Sequence, residues 1–150
     1  MKKTCVVVAN RTTARLFSID TPIGPLHEIE VLTHPEGRLK NAELGEHAPG
    51  RTQDRFGPGR HAIDPDEQPR AHELDVFAKL LATRLHRARS VEGLQALALV
   101  AAPETLGALR QHLDAATRAL IVTEVSKNLV HLPTEQLRKE LPERIGSAVA

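Results

Sequence analysis

Apolar residues follow two different periods along this chain. Near the start they come in short blocks, Cys5 to Ala9, Ala14 to Ile19 and Leu26 to Leu32, separated by Asn10-Arg11-Thr12-Thr13 and by Pro22-Ile23-Gly24-Pro25. Both separators consist of turn-forming residues, so the blocks predict three strands joined in a meander. In the third block His27, Ile29 and Val31 alternate with Glu28 and Glu30, the pattern of a strand near a sheet edge with one wet face. After Pro69 the period lengthens: Leu74, Phe77, Ala78, Leu81, Leu85 and Ala88 recur three and four residues apart. This stripe predicts a long helix with a core face. Lys79, Thr83, His86 and Arg87 fall opposite it as an exposed basic ridge, flanked by Arg84 and Arg89.

The blocks that follow alternate strand and helix. Ala96 to Ala102 is continuously apolar, as expected of a strand covered on both faces. Pro103-Glu104 then suits the first turn of a helix carrying Leu106, Leu109 and Leu113, because proline loses no helical bond there and an acid complements the helix dipole. Ala119 to Val125 predicts another buried strand, and Thr134 is the expected N-cap of a last helix holding Leu137, Leu141 and Ile145. The order βββαβαβα predicts an α/β fold: a mixed five-stranded sheet, antiparallel at its start and parallel later, with helices on its faces. At 150 residues the chain is expected to be one domain, 1–150, able to bury roughly 70% of the surface exposed by its unfolded form.

Residues 34–70 break both periods. The stretch holds Pro35, Gly37, Gly45, Pro49, Gly50, Gly57, Pro58, Gly59, Pro65 and Pro69, and reads as a long flexible loop between the third strand and the first long helix. Loops of this length inside a domain are commonly functional or disordered. Function is therefore sought there first.

Composition narrows the classes. A net charge of +1 points to no nucleic-acid partner by itself, since binding needs a local basic patch. With Phe17, Phe56 and Phe77 as the only aromatic residues of the Phe, Tyr and Trp class, recognition by stacking bases on several rings is disfavoured. The lone cysteine, Cys5, sits in an apolar strand and cannot form an internal disulfide, which fits a reducing compartment. The apolar run after Met1-Lys2-Lys3 is too short for a signal peptide, and no run reaches the length of a membrane span. A cytoplasmic location without membrane contact is expected.

Within the loop, the stretch from His47 to His61 carries Arg51, Arg55 and Arg60 against Asp54 alone, with Gly50, Gly57 and Gly59 beside them and Thr52, Gln53 and His61 as further polar groups. Guanidinium forks bind phosphate oxygens in pairs, and glycines let backbone amides approach an anion closely. Gly50, Arg51, Thr52, Gln53, Arg55, Gly57, Gly59, Arg60 and His61 are therefore candidate RNA or phosphate contacts. Lys79, His86 and Arg87 of the helix ridge are candidates to extend that surface. Taken alone, each feature has a plainer reading as solvated surface, and the wider loop is nearly neutral once Glu43, Glu46, Asp64, Asp66 and Glu67 are counted.

Other chemistries find less support. The histidine spacings match no zinc pattern, no nucleophile elbow or phosphate-binding glycine motif occurs, and no Asp or Glu precedes Asp20. A ribonuclease H-like nuclease needs carboxylates on its first strand to hold divalent metals, and that strand here offers Cys5 and valines. No catalytic residue, metal site or cofactor is assigned.

The order of elements, the opening Val6-Val7-Val8-Ala9-Asn10 with Ala14-Arg15-Leu16-Phe17, the long loop, and the ending Glu124-Val125-Ser126-Lys127-Asn128-Leu129 with Leu132-Pro133 together resemble the host-attachment protein family of bacteria. That family is similar to the middle domain of archaeal and eukaryotic class-1 release factors. In those factors a Gly-Gly-Gln tripeptide in a loop at this place supports hydrolysis of peptidyl-tRNA, and its nearest counterpart here is Gly50-Arg51-Thr52-Gln53. A Cβ where the tripeptide has glycine restricts the backbone. The resemblance therefore implies a non-catalytic ribosome- or RNA-binding factor first, a peptidyl-tRNA hydrolase using residues 50–53 second, and a protein-interaction module acting indirectly in host-cell attachment third.

The loop reading has a direct check. Limited trypsin digestion is expected to cut first between Arg38 and Arg70, where prolines and glycines deny a packed period. Earliest cuts after Arg110 or Arg118 would contradict it.

Overall fold

The computed structural model of the chain describes residues 3–34 and 67–146. Three strands open the fold, β1 (Thr4–Ala9), β2 (Thr13–Ile19) and β3 (His27–Thr33), followed by the helix α1 (Glu67–Ser90). After these come β4 (Ala96–Val100), α2 (Pro103–His112), the single turn α3 (Ala115–Arg118), β5 (Ile121–Val125) and α4 (Thr134–Lys139). The expected loop at 34–70 falls outside the described residues except at its ends. His34 is buried beside β3 and stacks on Phe77 with ring centroids 6.3 Å apart. Helix α1 begins at Glu67 rather than after Pro69; in the first turn the missing proline N–H costs no helical hydrogen bond.

The five strands form one sheet in the order β3-β2-β1-β4-β5. β1 pairs antiparallel with β2, and β2 with β3, whereas β1 with β4 and β4 with β5 are parallel. This is the mixed sheet that the alternation of elements predicts. Connections of the βαβ type are right-handed, and the two successive crossovers through α1 and α2 place both helices on the same face. There Phe77, Leu81, Leu85, Leu106 and Leu109 cover Val7, Leu16, Leu97 and Leu99. The other face is closed by the C-terminal segment, where Leu137, Leu141 and Ile145 pack on Val6, Val8, Phe17 and Val100. β1 and β4, buried from both sides, explain the continuous apolar runs; each large core side chain contributes about 1.5–3 kcal/mol by leaving water.

Three sequence expectations are corrected. β5 is a half-buried edge strand rather than a buried one. The last helix stops at Lys139, and its N-cap is Pro133 rather than Thr134. Leu141 and Ile145 are still buried, but beyond the helix, because a residue before proline is driven out of the helical region and Pro142 follows Leu141. The third correction concerns β3. Its register pairs Arg15 with Val31, Leu16 with Glu30 and Phe17 with Glu28, so Ile29 is left over as a bulge residue. Glu30 and Leu32 consequently face α1, while Ile29 and Val31 stay more than half exposed. The turn α3 was not anticipated; Asp114 caps it by accepting from the Thr117 N–H at 2.8 Å.

Cys5 is buried in the core, and burial pushes its thiol up to about 12. Since the thiolate is the reactive form, native protein is expected not to react with a thiol reagent at pH 8, and to react fully once denatured. Rapid labelling of the native form would show the β1 packing to be wrong.

Candidate functional site

β1, β4 and β5 end along one edge of the sheet, and the loops that leave them bring together residues far apart in sequence. Asn10 follows β1; its Oδ1 accepts from the Thr12 and Thr13 N–H groups at 2.9 and 2.8 Å, which fixes the turn into β2. An asparagine can make this bond and so mimic a backbone turn. Pro103 and Glu104 open α2 after β4, and Ser126, Lys127 and Asn128 follow β5. Arg11 crosses from the first loop to the second, with Nη1 donating to Glu104 at 2.8 Å. β3 runs in the same direction as β1, so His34 also arrives here, its N–H donating to the Thr12 carbonyl at 2.9 Å. Helix α1 ends at the opposite edge, where Lys3 Nζ donates to the Glu92 carbonyl at 2.7 Å. Its N-terminus at Glu67 therefore points back to the edge of Asn10. The chain thus leaves at His34 on the edge of Asn10 and Arg11, and α1 comes back past the same end of the sheet, its first residue about 15 Å beyond the level at which Phe77 stacks on His34.

The loop candidates Gly50, Arg51, Thr52, Gln53, Arg55, Gly57, Gly59, Arg60 and His61 lie outside the described residues. The ridge candidates are all on α1 and exposed. Lys79 and His86 share a face two turns apart, whereas Arg87 is rotated by one residue step, about 100°. Two of the three have a carboxylate partner: His86 Nδ1 lies 2.6 Å from Asp114 Oδ2, and Arg87 Nε 3.8 Å from Glu92. Of the flanking arginines, Arg84 turns away from the ridge, whereas Arg89 Nη2 lies 3.3 Å from His86 Nδ1 and shares Asp114 with it. Arg84 forks onto Glu30 at 2.9 Å and reaches Glu92 at 3.2 Å, while Arg89 donates to Thr117 Oγ1 at 3.0 Å and lies 3.4 Å from Asp114. His86 is also 19 residues from Glu67 along the helix, or about 28 Å, which puts it near the opposite sheet edge. The ridge is a charge-balanced helix surface and does not continue the edge at which the chain leaves after His34.

The edge itself is balanced too, with Arg11 on Glu104 and Lys127 Nζ 3.4 Å from Glu140. No group of three or more metal-ligating side chains is assembled among the described residues. Nor is any helix among them long and apolar enough to cross a membrane.

Sequence reasoning missed the arginines that hold the molecule together. Arg15 is only 14% exposed at its side chain; its Nη1 donates to the Leu132 and Val130 carbonyls at 2.6 and 2.9 Å, Nε to Glu28 at 3.0 Å, and its guanidinium lies 5.1 Å from the Phe17 ring centre. Arg138 donates to the carbonyls of Gly24, Pro142 and Glu143 at 2.8 Å each. The available signal was an arginine in the middle of a strand block, Ala14-Arg15-Leu16-Phe17, which must find partners when the strand is buried.

A family model described as "Protein required for attachment to host cells" matches residues 5–141. The chain belongs to this host-attachment family. The match takes in Asn10, Arg15 and the Glu124 to Leu129 run. No curated protein matches the sequence. Among solved structures, one titled "Archaeal protein" is similar with a TM-score of 0.45 and 11% identity, covering 93% of this chain and 36% of that one. Another, an archaeal translation termination factor, aRF1, has a TM-score of 0.48 and 9% identity, over 92% of this chain and 37% of that one. The chain thus spans little more than a third of either structure.

Hydrogen bonds from Thr117, through its hydroxyl and its backbone N–H, together with His86 and Arg89, hold the Asp114 carboxyl well below the usual carboxylate range. A depressed folded value adds stability that is present above the unfolded value near 3.8 and lost as pH falls. Asp114→Asn is therefore expected to lower the melting temperature at neutral pH, with the deficit shrinking as the pH falls below about 4. A deficit of equal size at every pH, followed by thermal denaturation, would mean that the charge contributes nothing.

Proposed function

We propose that this host-attachment-family protein is a non-catalytic ribosome- or RNA-binding factor, in which the arginine-rich stretch of residues 50–61 makes phosphate contacts. One observation carries the reading: the chain leaves the sheet at His34, beside the turn fixed by Asn10, and α1 returns past the same end of the sheet, with Phe77 stacked on His34. An arginine-bearing segment carried between a sheet strand and a long helix suits backbone recognition, since phosphate contacts position a partner without reading sequence. The charge balance of α1 supports confining the contacts to Arg51, Arg55 and Arg60, leaving Lys79, His86 and Arg87 a minor electrostatic role. Peptidyl-tRNA hydrolysis through Gln53 is the second reading, and the altered Gly50-Arg51-Thr52-Gln53 sequence counts against it. An effect on host attachment would then be indirect, through the bound ribosome or RNA.

Co-sedimentation with ribosomes over a range of salt tests this reading. Each arginine that contacts a phosphate releases counterions, so replacing Arg51, Arg55 and Arg60 by alanine is expected to weaken binding and flatten the slope of log affinity against log salt by roughly two to three units. Gln53→Ala should leave binding unchanged, because an amide adds no counterion term. A triple variant that binds as the parent does at every salt concentration, or a parent that does not bind, would refute the proposal.

A further inference from the structure

Six large apolar side chains are exposed among the described residues, and four of them, Ile29, Val31, Val76 and Leu80, belong to the β3 edge and the flank of α1 beside it. They are 57, 53, 38 and 47% exposed. β3 ends the sheet, with no described strand on its outer side. α1 runs antiparallel above it: Phe77 stacks on His34 at one end, and Arg84 binds Glu30 further along. Leu80 stands between these two anchors, three residues after Phe77 and four before Arg84, so it lies on the helix flank toward the strand edge. Val76 is one turn earlier on that flank.

Edge strands are normally kept apart by charged side chains. Here both glutamates of β3 are engaged within their own chain, Glu28 with Arg15 and Glu30 with Arg84. Among the described residues, the edge from Ile29 to Thr33 therefore has no strand partner on its outer side, exposes Ile29 and Val31, and carries no uncompensated charge. We propose that this side is a self-association surface, on which a second copy docks its own β3 antiparallel to the first about a two-fold axis near Val31. Such an axis, perpendicular to the sheet, joins two five-stranded sheets into one and lays the two α1 helices side by side on the same face, Leu80 against Leu80. A copy of this chain fits better than an unrelated strand, because the exposed apolar side chains are flanked by charges already compensated within the chain, Glu28 by Arg15, Glu30 by Arg84 and Arg87 by Glu92, and such a surface matches itself under that rotation.

The register follows from charge. Centring on Glu30 would set that carboxylate opposite its own copy, which cross-strand pairing disfavours. Centring on Val31 sets Ile29 opposite Thr33 and Glu30 opposite Leu32, so no carboxylate meets another. A seven-residue strand spans about 24 Å, and with the sheet and helix layers together about 20 Å deep the contact covers roughly 500 Å² per copy. That is at the lower limit for a specific interface, so the dimer is expected to dissociate in the micromolar range.

Sedimentation velocity of the full chain, from low micromolar to several hundred micromolar, should show a reversible monomer–dimer equilibrium. Leu80→Glu and Val31→Lys, both at exposed positions, should each raise the dissociation constant about tenfold or more, with unchanged circular dichroism. A second test uses the inert Cys5. In the V31C variant the introduced thiol is the accessible one, and mild oxidation should give a disulfide-linked dimer, whereas V91C, at another exposed apolar position, should remain mostly monomeric. A chain that stays monomeric throughout, whether its own residues or another protein covers the edge, overturns the proposal. So does a dimer indifferent to both charge substitutions, or cross-linking of V91C as readily as V31C.

Discussion

The fold depends on a strand that must be covered on both faces. β1 is buried from Cys5 to Ala9 and sits at the centre of the sheet, so each face needs its own apolar layer. Chain handedness supplies one of them: the crossovers after β3 and β4 put α1 and α2 on a common face. Nothing in the strand alternation supplies the other. That layer comes from the end of the chain, where α4 has only six residues, too few to dock by helix packing alone.

Arginine hydrogen bonds make up the difference. Arg15 ties the carbonyls of Val130 and Leu132 to the sheet, and Arg138 ties the β2–β3 turn to the residues after α4. Carbonyls in irregular chain need donors when they are close to a core, and a guanidinium can serve several at once. Leu137, Leu141 and Ile145 can then pack on Val6 and Phe17 without a long helix to present them. Arg84 does the equivalent on the first face, joining α1 to β3 through Glu30 and keeping that edge free of net charge.

These internal uses of arginine change what the surface can do. On α1, Arg84, His86, Arg87 and Arg89 are all engaged by carboxylates, so phosphate binding would rest on Arg51, Arg55 and Arg60. The sheet edge at Asn10 and the side formed by β3 and α1 are then separate surfaces. They adjoin at His34 and Phe77, and because the proposed pairing of β3 is antiparallel, two copies would point their Asn10 edges in opposite directions.

Much of the fold could be read directly from residue periods. Valine and leucine runs specify strands because β-branched and apolar side chains favour a pleated, covered surface, and the stripe from Leu74 to Ala88 specifies a helix because only that period places six apolar residues on one face. The mixed character of the sheet followed from the order of elements. Strand order, the bulge at Ile29 and the outward turn of Val31 could not be read in this way, since register depends on the partner strand and a one-residue shift exchanges faces. The separation of the α1 ridge from the edge at which the chain leaves after His34 was equally hidden, because the direction of a helix across a sheet is a tertiary property. Sequence determined which residues leave water; the pairing of distant strands and the fork geometry of Arg15, Arg84 and Arg138 decided which of them meet.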